Sequence, residues 1–171
     1  QASGQPVLPQ RTMQWQALAA RLVQQLQLEP GERVISIAQP GVFEDIVPFI
    51  RYEVMKAGGV DLGVIDVLDD PYPAEWSAET LGKGLFASTT EYVKLLKDVD
   101  AVVHMGGVST EQPWEQILAG NIVGMVNLYE AARQHKTKRI VFASSNHVTG
   151  FYRQDEVITP KDPVRPDGFY G

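Results

Sequence analysis

Four short apolar runs, separated by stretches with helical spacing, decide what this chain can fold into. The runs lie at Val34–Ala38, Val60–Leu68, Ala101–Met105 and Ile140–Ala143. Before the first, Trp15, Leu18, Leu22 and Leu26 recur at helical intervals, and Pro30-Gly31 stops the pattern. Between the first two runs, Ile46, Phe49, Ile50 and Val54 trace a second helix that ends at Gly58-Gly59. Tyr92, Val93, Leu95 and Leu96 suggest a short helix before the third run. After it, Trp114, Ile117, Leu118, Ile122, Met125, Leu128, Tyr129 and Ala132 outline one face of a long one. Buried strands alternating with amphipathic helices require a parallel sheet with helices on both faces. The expected fold is therefore α/β, a Rossmann-like doubly wound sheet with strands near residues 33–38, 60–67, 101–105 and 139–144. Residues 1–12 read as a flexible arm and 13–171 as a single domain. Residues 71–88 show no clean period and read as loop with at most one short element.

Composition narrows the function classes. A net charge of −6 argues against a nucleic-acid backbone or an anionic membrane as partner. No run approaches the roughly 20 apolar residues of a membrane span, and a cytoplasmic protein is expected; self-association stays open. The absence of cysteine excludes disulfides, thiolate nucleophiles and zinc–thiolate sites. His104, His135 and His147 show no metal-ligand spacing, so no metal is expected.

In a doubly wound sheet, ligands sit beyond the carboxyl ends of the strands. The first run is followed by "AQPGVFED", with only Gly41 where a dinucleotide fingerprint carries several glycines, and Pro40 removes a donor. An ordinary strand–helix turn is the favoured reading there, with a phosphate loop as the alternative. The second is followed by "VIDVLDD", where Asp66 or Asp69 could accept hydrogen bonds from an adenosine ribose or simply build a turn. The third ends in "HMGGVS": Gly106 and Gly107 allow a flat ligand to approach, and Ser109 adds a hydroxyl. His104, inside that run, reads as a core histidine. Asn121 interrupts the long helix at i+3 from Leu118 and i−4 from Met125. A buried amide there needs partners, and a role in holding loops rather than reacting is expected. The fourth run gives way to "SSNH", and the turn "VRPDGFYG" then delivers Tyr170, 25 residues after Ser145. The polar cluster either holds a ligand or caps the next element.

The segments "VDAVVHMGGVSTEQPWEQIL", "NIVGMVNLYEAAR", "RIVFASSNHVTGFY" and "PVRPDGFYG" resemble extended short-chain dehydrogenase/reductases, closest to uronate dehydrogenases, almost continuously from Asp98 to Gly171. That family oxidises the anomeric hydroxyl of a hexuronic acid to a lactone and passes hydride to NAD. The resemblance implies that the polar cluster holds a ligand. It makes Ser145 and Tyr170 catalytic, places Ser109, Asn146 and His147 on the substrate, and sets Gly106 and Gly107 along the cofactor. The tyrosine would take the hydroxyl proton while the serine orients the same oxygen. A free tyrosine has a pKa of about 10, so about one in a thousand is ionised at pH 7; the family lowers that value with a lysine four residues later. This sequence stops at Gly171, directly after the tyrosine, and lacks the glycine fingerprint. Weak or absent NAD binding and little turnover are therefore expected of it. Residues 13–68 bear a fainter resemblance to the N-terminal α/β domain of thermophilic-type leucyl aminopeptidases, without metal ligands. A junction between two ancestries would fall between about residues 70 and 100. The alternatives to a dehydrogenase are a non-catalytic α/β module and part of an aminopeptidase-like protein.

Overall fold

The computed structural model describes residues 13–38, 43, 45–66 and 94–171. Helix α1 (Trp15–Leu26) leads into β1 (Arg33–Ala38), α2 (Val47–Lys56) and β2 (Val60–Asp66). After the next segment come β3 (Ala101–Met105), a helical turn α3 (Trp114–Ile117), a π-helical segment at Leu118–Val123, α4 (Gly124–His135) and β4 (Arg139–Phe142). A 3₁₀ turn at Asn146–Thr149 follows. The four strands form one parallel sheet in the order β2-β1-β3-β4. Val34 stands beside Ala101, and Ala101 beside Arg139. The β1–β2 pairing shifts by one residue between Val34 and Ser36, which places a bulge at Leu62-Gly63.

Alternation along the strands divides the core into two layers. Val34 and Ala38 of β1, with Ala101, Val103 and Met105 of β3, pack under Ala19, Val23 and Leu26 of α1 and Ile46, Ile50 and Val54 beside and within α2. Ile35, Ile37 and Val102 point the other way, onto Met125, Leu128, Ala131 and Ala132 of α4 with Leu96 and Val99. Each face is covered, which is why these strands are apolar at nearly every position. The expected sheet and its strand positions are thus present, except that β4 stops at Phe142 rather than near residue 144. The Ala143 N–H still donates to the His104 carbonyl at 2.9 Å, and the chain then turns away.

Three helix faces differ from the expectation; on α2, Phe49 is exposed while Ile50 and Val54 are buried. On α1 the buried line is Ala19, Val23 and Leu26, while Leu18 is exposed and Leu22 lies at the margin. The long helix is not continuous. The π-helical segment holds an extra residue per turn, so the stripe changes phase across it. Ile117, Met125 and Leu128 are buried, whereas Trp114, Ile122 and Tyr129 face outward. Of the short helix expected near residue 92, Tyr92 and Val93 lie outside the described residues; Lys94 and Leu95 are helical, and Leu96 is buried.

At the amino ends of the strands a charge cluster closes the sheet. The buried Glu32 carboxylate accepts from Lys138 Nζ at 2.7 Å and pairs with Arg139, and it also receives the Glu29 N–H at 2.9 Å. The Lys138 ammonium holds the Glu32 carboxyl below its ordinary range. Asp100 alongside takes the Arg33 N–H at 2.9 Å. These contacts lie at the end of the sheet opposite the loops that follow Met105 and Phe142.

Candidate functional site

β1 has β2 on one side and β3 on the other, so the chain direction across the sheet reverses there. The carboxyl ends of β1 and β3 are the switch point of the fold, where loops diverge and leave a crevice. A cleft of about 410 Å³ opens at this point. Its walls are the loop after β3 (Met105 to Ser109), the loop after β4 (Phe142 to Asn146) and the segment ending in Tyr170 and Gly171. Phe43, Asn121, Met125 and Val148 complete the lining. The cleft is mainly apolar with a few polar groups, the usual make-up of a small-molecule site.

Asn121 fixes the first wall. Its Oδ1 accepts the Val108 N–H at 2.8 Å and its Nδ2 donates to the Val108 carbonyl at 3.0 Å, a two-point clamp on one peptide. The π-helical segment turns the amide out of the helix toward this loop. The clamp also explains the second glycine of the pair. Gly107 has φ +129°, and a Cβ there would lie 2.8 Å from Asn121 Oδ1. Only a residue without a side chain fits both the dihedral and the space.

The second wall carries the polar run. Ser145 Oγ accepts the His147 N–H at 3.1 Å and so caps the 3₁₀ turn. A hydroxyl that accepts one bond still has its own proton to donate, and Ser145 lines the cleft as well. Capping and facing the cleft are therefore compatible. His147 Nδ1 lies 2.9 and 3.0 Å from the two carboxylate oxygens of Asp167, and its ring meets that of Tyr170 edge-on at 5.5 Å. The third wall is tied down by backbone. The Arg165 N–H donates to the Val148 carbonyl at 2.8 Å and the Asp167 N–H to the His147 carbonyl at 3.3 Å. Glu111, from the loop after β3, accepts the N–H groups of Phe169 and Tyr170, both at 3.1 Å.

His104 sits behind the cleft in β3, only 2% exposed, with its ring 5.7 Å from that of Phe142. Burial pushes its pKa down to about 4, with its own backbone opposing slightly. Its Nδ1 finds no partner among the described residues.

Gly106, Gly107, Ser109, Asn121, Ser145, Asn146 and Tyr170 thus converge on one cleft, and His147 abuts Tyr170. Asp66 stands apart: its backbone ends β2 beside Ala38, on the flank of the sheet away from β3. Gly41 and Asp69 lie outside the described residues. No group of histidines and carboxylates able to hold a metal exists among the described residues, and no helix there is long and apolar enough to cross a membrane. Sequence reasoning did not single out Glu111, Phe43 or Ser144. Glu111 had one signal, its place two residues after Ser109, but its partners are 58 and 59 positions away.

Residues 53–171 match the NAD dependent epimerase/dehydratase family. The chain belongs to that family. Among its relatives, the uronate dehydrogenase of Pseudomonas syringae pv. tomato is 56% identical over 78 residues, which are 46% of this chain and 28% of that protein. The uronate dehydrogenase of Agrobacterium fabrum is 62% identical over 72 residues, 42% of this chain and 27% of that protein. The crystal structure of uronate dehydrogenase from Agrobacterium tumefaciens superposes with a TM-score of 0.62 at 35% identity, covering 81% of this chain and 50% of that one. The chain thus spans about half the length of that solved relative. A superposition over 81% must reach upstream of residue 53, so part of the N-terminal half shares the dehydrogenase fold too. No observation on the described residues adds to the aminopeptidase resemblance of residues 13–68.

Proposed function

We propose that the cleft is the reaction site of a uronate dehydrogenase, in which the anomeric hydroxyl of a hexuronic acid is oxidised to a lactone. The observation that carries this reading is the convergence of Ser145, Asn146 and Tyr170 on one cleft at the switch point of a family fold. The residues present fit the nicotinamide end of NAD: Met105, Met125 and Phe142 offer apolar surface, and Gly106 and Gly107 line the same cleft with bare backbone. NAD supplies the hydride acceptor when bound. Ser145 donates a hydrogen bond from its hydroxyl to the substrate oxygen and orients it. Tyr170 Oη takes the hydroxyl proton as the anomeric C–H bond breaks. Asn146 and Ser109 bond to ring hydroxyls, and His147, held by Asp167, flanks the tyrosine. Among the three walls, Gly106 and Gly107 border the cofactor and the Ser145–His147 run borders the sugar.

The test is NADH formation from galacturonate or glucuronate at saturating NAD, with saturation-transfer NMR of the sugar run in parallel. Slow uronate-dependent turnover, abolished in Tyr170→Phe, is the expected result. No turnover together with no detectable uronate contact would leave a non-catalytic module as the better reading.

A further inference from the structure

We propose that Glu111 is a positioning residue for Tyr170, a carboxylate clamp that links the loop after β3 to the segment carrying the tyrosine. The inference rests on the reading of Tyr170 as the proton acceptor.

The N–H of Tyr170 and that of the residue before it are both held by a side chain from a different loop. The two oxygens of Glu111 divide the work: Oε1 accepts the Phe169 N–H and Oε2 the Tyr170 N–H, each at 3.1 Å. Successive amides held by one carboxylate fix the direction of the peptide between them, which a single bond would leave free to swivel. Gly168 is shaped around the same group, because a Cβ on it would run into the Glu111 carboxylate. The ring of Trp114, three residues after Glu111, packs on that of Phe169 with centroids 5.2 Å apart. Polar and apolar contacts therefore hold the same short segment from the same side.

The clamp also has a fixed base. Glu111 follows Ser109 in the loop whose Val108 peptide is gripped by Asn121. The glycine wall and the tyrosine wall are in this way referenced to one another across the cleft. A base needs placement to within about half an ångström of its productive geometry. Glu111 is exposed, and the global fold does not depend on burying it.

Glu111→Gln separates the clamp from the fold. A glutamine has one acceptor oxygen, and its NH₂ group opposes the second amide. Amide hydrogen exchange on the intact chain should show Phe169 and Tyr170 exchanging at least about tenfold faster in the variant, with the amides of Val34 and Val102 unchanged. In NADH formation at saturating NAD, kcat should fall by about tenfold or more while KM for the uronate stays within about threefold. Glu111→Asp, which keeps both oxygens, should recover part of each effect. Unchanged exchange at Phe169 and Tyr170 overturns the clamp. Faster exchange with unchanged kcat overturns its role in positioning the base. If the unaltered chain neither binds nor oxidises uronates, the functional reading fails with the positioning role, while exchange still decides whether the clamp exists.

Discussion

Acid should weaken this protein through one buried ring. His104 is 2% exposed and burial holds its pKa at about 4, below the ordinary 6.5. The folded state therefore resists protonation and the unfolded chain does not. For a depressed histidine, the stabilisation is fully present above pH 6.5 and is lost as pH falls toward 4. Linkage with these two values gives a loss of about 1–2 kcal/mol by about pH 5.5 and about 3 kcal/mol by about pH 4. Urea unfolding followed by circular dichroism, at several pH values from about 7.5 down to about 4.5, measures it. Other groups titrate in the same interval, so the quantity to compare is the difference between the native chain and His104→Leu. At neutral pH the leucine variant should be at least as stable, because it removes a buried Nδ1 with no partner among the described residues. On acidification the native chain should lose stability faster, by the amounts above. Parallel stability–pH curves for the two proteins would show that the imidazole is hydrated or paired when folded, and the argument from burial would fall.

Three further outcomes are expected. Gly107→Ala should destabilise by about 1–3 kcal/mol in urea unfolding, through its left-handed φ and the collision with the clamped Asn121 amide. Glu32→Gln should cost about 1–3 kcal/mol. The Glu32 carboxyl lies below its ordinary range, so its contribution is present above that range and lost as pH falls through the lowered value; the variant should show a flatter acid limb. NAD should bind weakly, since "AQPG" offers one glycine and a proline where a pyrophosphate loop needs several amides. Calorimetry returning micromolar or tighter affinity would contradict that expectation.

The centre of the sheet was readable because β1 and β3 are covered on both faces. Val34 to Ala38 and Ala101 to Met105 are buried at every position, and a run of that kind has few other uses. Helix phase was less readable. Ala19 outranks Leu18 on α1 because position relative to the sheet, not side-chain size, decides what is covered. The π-helical segment left no periodic trace, since one extra residue only offsets the pattern on either side of it. Gly120 and Asn121 were its local signal: a Cβ on Gly120 would approach Val108 Cγ2 to 3.1 Å, so the loop lies against the helix there. Of the candidate site, Gly106, Gly107, Ser109, Ser145, Asn146 and Tyr170 sit in short contiguous motifs and could be read in place, whereas Phe43 and Ser144 could not. Glu111, and Asp167 as the partner of His147, act by bridging distant loops. Nothing in local sequence says that residue 111 meets residue 170.

The charge cluster at the amino ends of the strands has a consequence for the order of assembly. The cationic partners of Glu32 stand 106 and 107 positions after it. During synthesis, β1 and β2 emerge together with a carboxylate that nothing yet neutralises. Burying it at that stage would cost the desolvation of an unpaired carboxylate. Arrival of Lys138 and Arg139 delivers the counter-charges and β4 in the same stretch of chain. Closure of the sheet at this end thus waits on two basic residues more than a hundred positions after the carboxylate they neutralise.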